Sequence, residues 1–112
     1  MAAATPPDRT TYAPFILGQS LLLVDPGLTA KVAIFPQRAG WVGNGHDWQF
    51  VAKIVLQERH PALFDRIEFD SEADMFVARG ERAHLIALAE TMRAVYHDDR
   101  LLIDVLGRAE PD

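Results

Sequence analysis

The first third of the chain alternates apolar and polar positions in the manner of β-strands. Residues 12–24 have strand character, with a bend expected at residues 18–19, where Gly and Gln interrupt the apolar positions. Asp, Pro and Gly at residues 25–27 form a turn signal, because Pro fixes φ and Gly permits a reversal. Residues 29–35 then return as a second strand, so this region predicts an antiparallel hairpin.

A second hairpin is predicted in the middle of the chain. Residues 66–69 alternate polar and apolar side chains, and residues 75–79 do so less regularly. The connection between them, Asp-Ser-Glu-Ala-Asp at residues 70–74, is strongly acidic. These two runs are expected to be antiparallel strands.

Helical spacing of apolar residues predicts three helices. The first follows a glycine-rich loop and ends near Arg59, because the His60-Pro61 pair disfavours helical geometry. The strongest pattern covers residues 81–97. A last short helix starts at the Asp98-Asp99 pair and is expected to end at Gly107.

In chain order these elements are β-β-α-β-β-α-α. Two hairpins can form one four-stranded antiparallel sheet with the helices packed on one face, which is an α+β fold. Residues 1–11 contain small residues, Thr and Pro with little to bury, so we expect a disordered N-terminal tail. A single domain is expected to span residues 12–110.

The glycine-rich loop, Gly-Trp-Val-Gly-Asn-Gly-His-Asp-Trp at residues 40–48, joins the first hairpin to the first helix. Its three glycines are expected to adopt positive φ, which other residues rarely do. Asp47 is expected to cap the helix, which makes Trp48 the first helical residue. Trp41 and Trp48 either pack in the core or project as anchors for a partner.

Composition narrows the classes of function. The formal net charge is −5, and the 11 Lys and Arg residues are scattered, so a nucleic-acid partner is disfavoured and a basic protein partner fits better. The absence of cysteine excludes disulfides and thiolate metal sites. The most apolar run, residues 15–24, is too short to span a bilayer and is a poor signal peptide. We expect a cytoplasmic protein.

Catalytic and ligand-binding motifs are weak. Neither of the two serines lies in a nucleophile motif, so we expect no enzyme and no cofactor. The Gly-Asn-Gly turn resembles a phosphate-binding loop, but Asp47 places a negative charge where the anion would bind. The acidic residues of the second hairpin alternate as calcium ligands do, but Met75 stands where such a loop needs glycine. We therefore predict no metal, and interpret these acids as a solvated hairpin tip or an acidic contact surface.

The loop at residues 40–48 and the helix after it, the segment Ile-Glu-Phe-Asp-Ser-Glu-Ala-Asp-Met-Phe at residues 67–76, and the ending Arg108-Ala109-Glu110 together resemble the immunity protein 51 family. The resemblance covers about residues 12–110, and the loop is its most specific part. Members are antitoxins of bacterial polymorphic toxin and contact-dependent competition systems. The resemblance implies a small, non-catalytic α+β protein that binds a cognate toxin domain and blocks its active site or its maturation.

From this resemblance we hypothesise a toxin-facing surface with an acidic flank that steers a basic toxin. The residues that form or support it are Trp41, Asn44, His46, Asp47 and Trp48, flanked by Asp70, Glu72 and Asp74, with Gly40, Gly43 and Gly45 in a structural role.

Two other classes of function stay open. A small-ligand or anion sensor would use the glycine-rich loop as its pocket. A self-assembling structural module would bury a hairpin edge or a helix face across a two-fold axis. A homodimer is compatible with immunity function as well.

Overall fold

Two layers, a sheet and a set of helices, make up the α+β fold in the computed structural model of the chain, which describes residues 6–35 and 40–108. The element order is β-β-α-β-β-α-α, as predicted, apart from short 3-10 segments. Apolar side chains from both layers form one core. This core positions the loop and the hairpin tip described below.

Four short antiparallel strands form the sheet. They are β1 (Ile16–Leu17), β2 (Ser20–Leu23), β3 (Glu68–Phe69) and β4 (Phe76–Arg79), in the spatial order β1-β2-β4-β3. Alternate residues along β2 are buried against the helices and half-buried on the opposite face, as expected for a sheet covered on one side.

The first hairpin differs from the prediction. Residues 12–24 do not form one bent strand, because the chain reverses at residues 18–19 and produces both β1 and β2. Residues 29–35 are not a strand and instead contain a 3-10 helix, Val32–Ile34. The reason is the tertiary pairing: β2 already has β1 on one edge and β4 on the other, so the sheet leaves no position there for another strand.

Three α-helices cover the sheet. They are α1 (Gly45–Arg59), α2 (Arg82–Tyr96) and α3 (Asp99–Arg108). α2 and the end of α1 lie where the sequence predicts them. α3 does not end at Gly107 as predicted but continues to Arg108. Not one of the helices in the described ranges has the length and apolar character that crossing a membrane requires.

The N-terminal segment runs beside the sheet at Asp8. The Asp8 main chain exchanges hydrogen bonds with Leu17 at 2.7 and 2.9 Å, which places this segment beside β1. Hydrogen bonds from Thr11, and then from Thr10, lower the pKa of the Asp8 carboxyl from 3.8 to about 2. Residues 1–5 of the predicted tail, and the predicted domain end at residue 110, lie outside the described residues.

Candidate functional site

The glycine-rich loop ends in a capped helix that begins earlier than predicted. Asn44 has extended backbone geometry, and its side-chain oxygen accepts a hydrogen bond from the Asp47 N–H at 3.0 Å. Asn44 is therefore the N-cap, and α1 begins at Gly45, so Trp48 lies inside the first turn. The prediction that Asp47 caps the helix was wrong, since the side chain three residues earlier does so.

Asp47 instead closes the loop. Its carboxylate accepts hydrogen bonds from the Val42 N–H at 2.7 Å and the Gly43 N–H at 2.8 Å, and the residue is only 6% exposed. Hydrogen bonds to an ionised acceptor are roughly twice as strong as neutral ones. Asp47 thus fixes the path of residues 42–47 while its charge lies in the first turn of α1, where the helix dipole favours it.

The loop glycines serve two different purposes. Gly40 and Gly43 have φ of 94° and 74°, the left-handed region that favours glycine. Gly45 does not have positive φ, contrary to the prediction. It is needed for space, because a Cβ there would overlap the carbonyl groups of Glu72 and Met75.

This close approach joins the loop to the acidic connection of the second hairpin. The Gly45 N–H donates to the Ala73 carbonyl oxygen at 3.0 Å, and the Ser71 N–H donates to the Gln49 side chain at 3.4 Å. Within the connection, the main chains of Glu72 and Met75 exchange hydrogen bonds at 2.8 and 3.2 Å. The glycine-rich loop and the acidic connection therefore form one continuous surface.

The tryptophans do not lie on this surface. Trp41 is 1% exposed and packs against Phe35 and Phe50, with ring centroids 5.9 and 6.0 Å apart. Trp48 is fully buried and stacks on Tyr96 at 5.5 Å. Their burial excludes a role as exposed anchors for a partner in this structure. Both side chains instead pack the loop against the core.

Most of the other predicted site residues face solvent. His46, Asp70, Glu72 and Asp74 are exposed, and Asn44 is half-buried because its side chain caps the helix. Val42, which was not among the predicted site residues, is 55% exposed. Its place in a loop of glycines gave no signal of this exposure. We call the exposed side chains Val42, His46, Asp70, Glu72 and Asp74 the loop–tip surface.

The charges of the loop–tip surface are unevenly compensated. Asp70 forms an ion pair with Arg79 at 2.8 Å. Within residues 6–35 and 40–108, Glu72 and Asp74 form no ion pair. The surface therefore presents negative charge to solvent.

An anion site in the glycine-rich loop is not supported by its hydrogen bonds. Four N–H groups of the loop are used internally: Val42 and Gly43 donate to Asp47, Gly45 donates to Ala73, and Asp47 donates to Asn44. The hypothesis of a small-ligand or anion sensor rested on free N–H groups in this loop, and these hydrogen bonds argue against it.

One histidine–hydroxyl pair superficially resembles a base and nucleophile. His60 Nε2 lies 3.1 Å from the Thr91 hydroxyl oxygen, but that hydroxyl donates to the Ala87 carbonyl at 3.0 Å. The Thr91 hydroxyl thus already has a main-chain acceptor on its own helix, as Thr residues inside helices commonly do. The pair links the end of α1 to α2.

Comparison with known proteins gives a family match. The sequence pattern of immunity protein 51 matches residues 20–111, from the first residue of β2 through α3. The chain belongs to the immunity protein 51 family. The matched range includes the whole loop–tip surface, whereas β1 and the segment before it precede the match. No curated protein and no solved structure shows a significant match.

Proposed function

We propose that this immunity protein 51 family member binds a cognate bacterial toxin domain through the loop–tip surface and neutralises it by non-catalytic occlusion. The proposal places the pair in the cytoplasm of the producing bacterium, where an immunity protein meets its toxin in competition between cells. Family membership supports the protein partner.

The observation that carries the proposed surface is the hydrogen bond from the Gly45 N–H to the Ala73 carbonyl. Together with the Asp47 bonds to the loop, it orders exposed side chains from two distant parts of the sequence before any partner binds. A preorganised surface loses less conformational entropy on association, so more of the contact energy appears as affinity.

Charge supports a basic toxin as the partner. The protein has a formal net charge of −5, and the exposed side chains of Glu72 and Asp74 place negative charge at the hairpin tip. Complementary charge raises the association rate of two proteins well above that of a neutral pair.

Co-expression with the toxin domain encoded immediately upstream tests this proposal. The wild-type protein should restore growth and co-purify with the toxin. The double variant Glu72→Lys, Asp74→Lys should bind at least about tenfold more weakly, because repulsion replaces attraction. The matched control, Glu90→Lys with Asp104→Lys, makes the same change in net charge at exposed positions of α2 and α3.

The control should bind as the wild type does. Equal losses in both double variants would show that net charge alone matters and would contradict the loop–tip surface. Failure of the folded wild-type protein to bind or rescue would contradict the proposed function. A homodimer stays a separate prediction, tested by the concentration dependence of mass in solution.

A further inference from the structure

The sheet face opposite the helices carries an apolar row. Ile16, Leu22 and Val77 lie opposite one another across β1, β2 and β4, because Ile16 pairs with Leu22 and Leu22 pairs with Val77. Neighbouring positions of the same strands, Leu21 and Ala78, point into the core. This row therefore belongs to the other side of the sheet.

The N-terminal segment turns that face into a groove. Asp8 is hydrogen-bonded to Leu17 beside β1, and Pro7 lies against Gly18, where a Cβ would sit 3.4 Å from the Pro7 Cβ. The resulting groove has a volume of about 480 Å³, within the range of roughly 300–1,000 Å³ that is usual for binding pockets. Its lining includes Arg9, Ile16, Ser20, Leu22, Val77 and Arg79.

The charge of the groove is opposite to that of the protein. Arg9 and Arg79 are its charged lining residues, and no carboxylate belongs to the described lining. The whole chain, by contrast, has 16 acidic and 11 basic residues. Arg79 is paired with Asp70, but both side chains are more than half exposed, so that pair contributes little and can exchange for another carboxylate.

We infer that this groove binds a segment of a partner protein in which an apolar side chain stands next to an Asp or Glu. The apolar side chain would lie over Ile16 and Leu22, which are half-buried, beside the more deeply buried Val77. The adjacent carboxylate would meet the guanidinium groups of Arg9 and Arg79, which suit carboxylates geometrically as well as by charge.

Identification of that partner with the toxin rests on the proposed function. The groove and the loop–tip surface are continuous, since Met75 lines the groove and its main chain is hydrogen-bonded to Glu72. Protein interfaces combine an apolar centre with a polar rim. With both tryptophans buried, Val42 is the apolar side chain of the loop–tip surface, and the groove adds further apolar area beside it.

Three short peptides test the groove without any toxin. The ¹⁵N-labelled protein is titrated with acetyl-Leu-Asp-amide, with acetyl-Leu-Asn-amide, which lacks only the charge, and with acetyl-Ala-Asp-amide, which lacks most of the apolar side chain. We expect the first to shift the amide signals of Ser20, Leu22, Val77 and Arg79, with a Kd on the order of 1 mM. The other two should bind at least about fivefold more weakly.

Variants assign the effect to the groove. Arg9→Gln with Arg79→Gln should remove the preference for Asp over Asn, and Ser20→Phe should fill the groove and abolish binding of all three peptides. The control pair Arg93→Gln with Arg100→Gln removes the same charge from exposed helical positions and should change nothing. An amide spectrum with wild-type dispersion confirms that each variant is folded.

Shifts outside the groove, no shifts, or equal binding of the Asp and Asn peptides would each overturn the inference. Toxin binding is then measured with the same variants. If the wild-type protein binds the Leu-Asp peptide but Ser20→Phe, which abolishes that binding, leaves the toxin affinity unchanged, the link to the toxin is overturned and the proposed function stands. Loss of toxin binding in the Glu72, Asp74 variant with peptide binding intact would confirm that the two surfaces act separately.

Discussion

Asp47 is the residue on which the shape of the glycine-rich loop depends. Its buried carboxylate accepts two main-chain hydrogen bonds, from Val42 and Gly43. As an N-cap, Asp47 would contribute about 1 kcal/mol. Asn44 occupies that position, so the contribution of Asp47 comes from closing the loop.

We predict that Asp47→Ala lowers the free energy of unfolding by about 2–3 kcal/mol, because two main-chain N–H groups lose an ionised acceptor. Asp47→Asn should lose only about half as much, since its amide oxygen still accepts. Urea unfolding of the three proteins measures both values. A loss below about 1 kcal/mol in the Ala variant would mean that water replaces the carboxylate.

The ionisation of Asp8 makes the stability of the N-terminal segment depend on pH. Hydrogen bonds from Thr11 and Thr10 lower the pKa of its carboxyl to about 2 in the folded protein, against 3.8 ordinarily. A lowered pKa means that the ionised form stabilises the folded arrangement above pH 3.8. This stabilisation is lost as the pH falls through about 2.

We therefore predict that the amide signals of Thr10 and Thr11 move together between about pH 3 and pH 1, with a midpoint near the folded-state pKa of Asp8 of about 2. Asp8→Asn should abolish that titration and leave the signals of α2 unchanged. A midpoint near 3.8 for Thr10 and Thr11 in the wild-type protein would show that Asp8 is free in solution.

At the scale of elements, the start of α1 is bonded to the tip of the second hairpin. The contact depends on Gly45, whose position leaves no room for a side chain beside the Glu72 and Met75 carbonyls. It also depends on the turn between those two residues, which brings the Ala73 carbonyl to the Gly45 N–H. Neither element alone would form the loop–tip surface.

Gly45→Ala should therefore lower the free energy of unfolding by about 2–3 kcal/mol, as overpacking does.

The opposite result is expected for Gly107→Ala. Gly107 lies within α3, where a Cβ would meet nothing within 4 Å, so the helix should gain up to about 1 kcal/mol. Thermal unfolding of both variants measures the difference, and a neutral Gly45→Ala would show that the hairpin tip moves away at little cost.

For the molecule as a whole, charge is divided between two neighbouring regions. The hairpin tip is acidic, and the groove behind it carries Arg9 and Arg79. Long-range attraction depends on the net negative charge, whereas the arginines act only at contact distance.

The association rate with the upstream toxin should consequently fall by about tenfold between 50 and 500 mM salt, while the dissociation rate changes little. In the variant Glu72→Lys, Asp74→Lys, the association rate should be lower at 50 mM salt and nearly independent of salt. Surface plasmon resonance measures both rates. A salt effect confined to the dissociation rate would contradict steering by the hairpin tip.

The sequence by itself determined the elements whose signals are local. The apolar stripe of α2, the stop of α1 at His60-Pro61 and the second hairpin follow from side-chain periodicity and proline geometry within one short segment. The family resemblance and the acidic tip were also present in the sequence. The structure confirms the predicted order of elements, but β1 and β2 both come from residues 16–23, so only the helices and the second hairpin follow from these local signals.

Tertiary structure decided what depends on neighbours far away in the chain. Pairing of β2 with β4 left residues 29–35 outside the sheet, and packing on Tyr96 buried Trp48. The Ala73 carbonyl joined the loop to the hairpin tip, and the chain around Asp8 completed the groove. Periodicity shows which side chains prefer burial. Only the packed arrangement decides which of them reach the surface, because the residues that bury one another are far apart in the sequence.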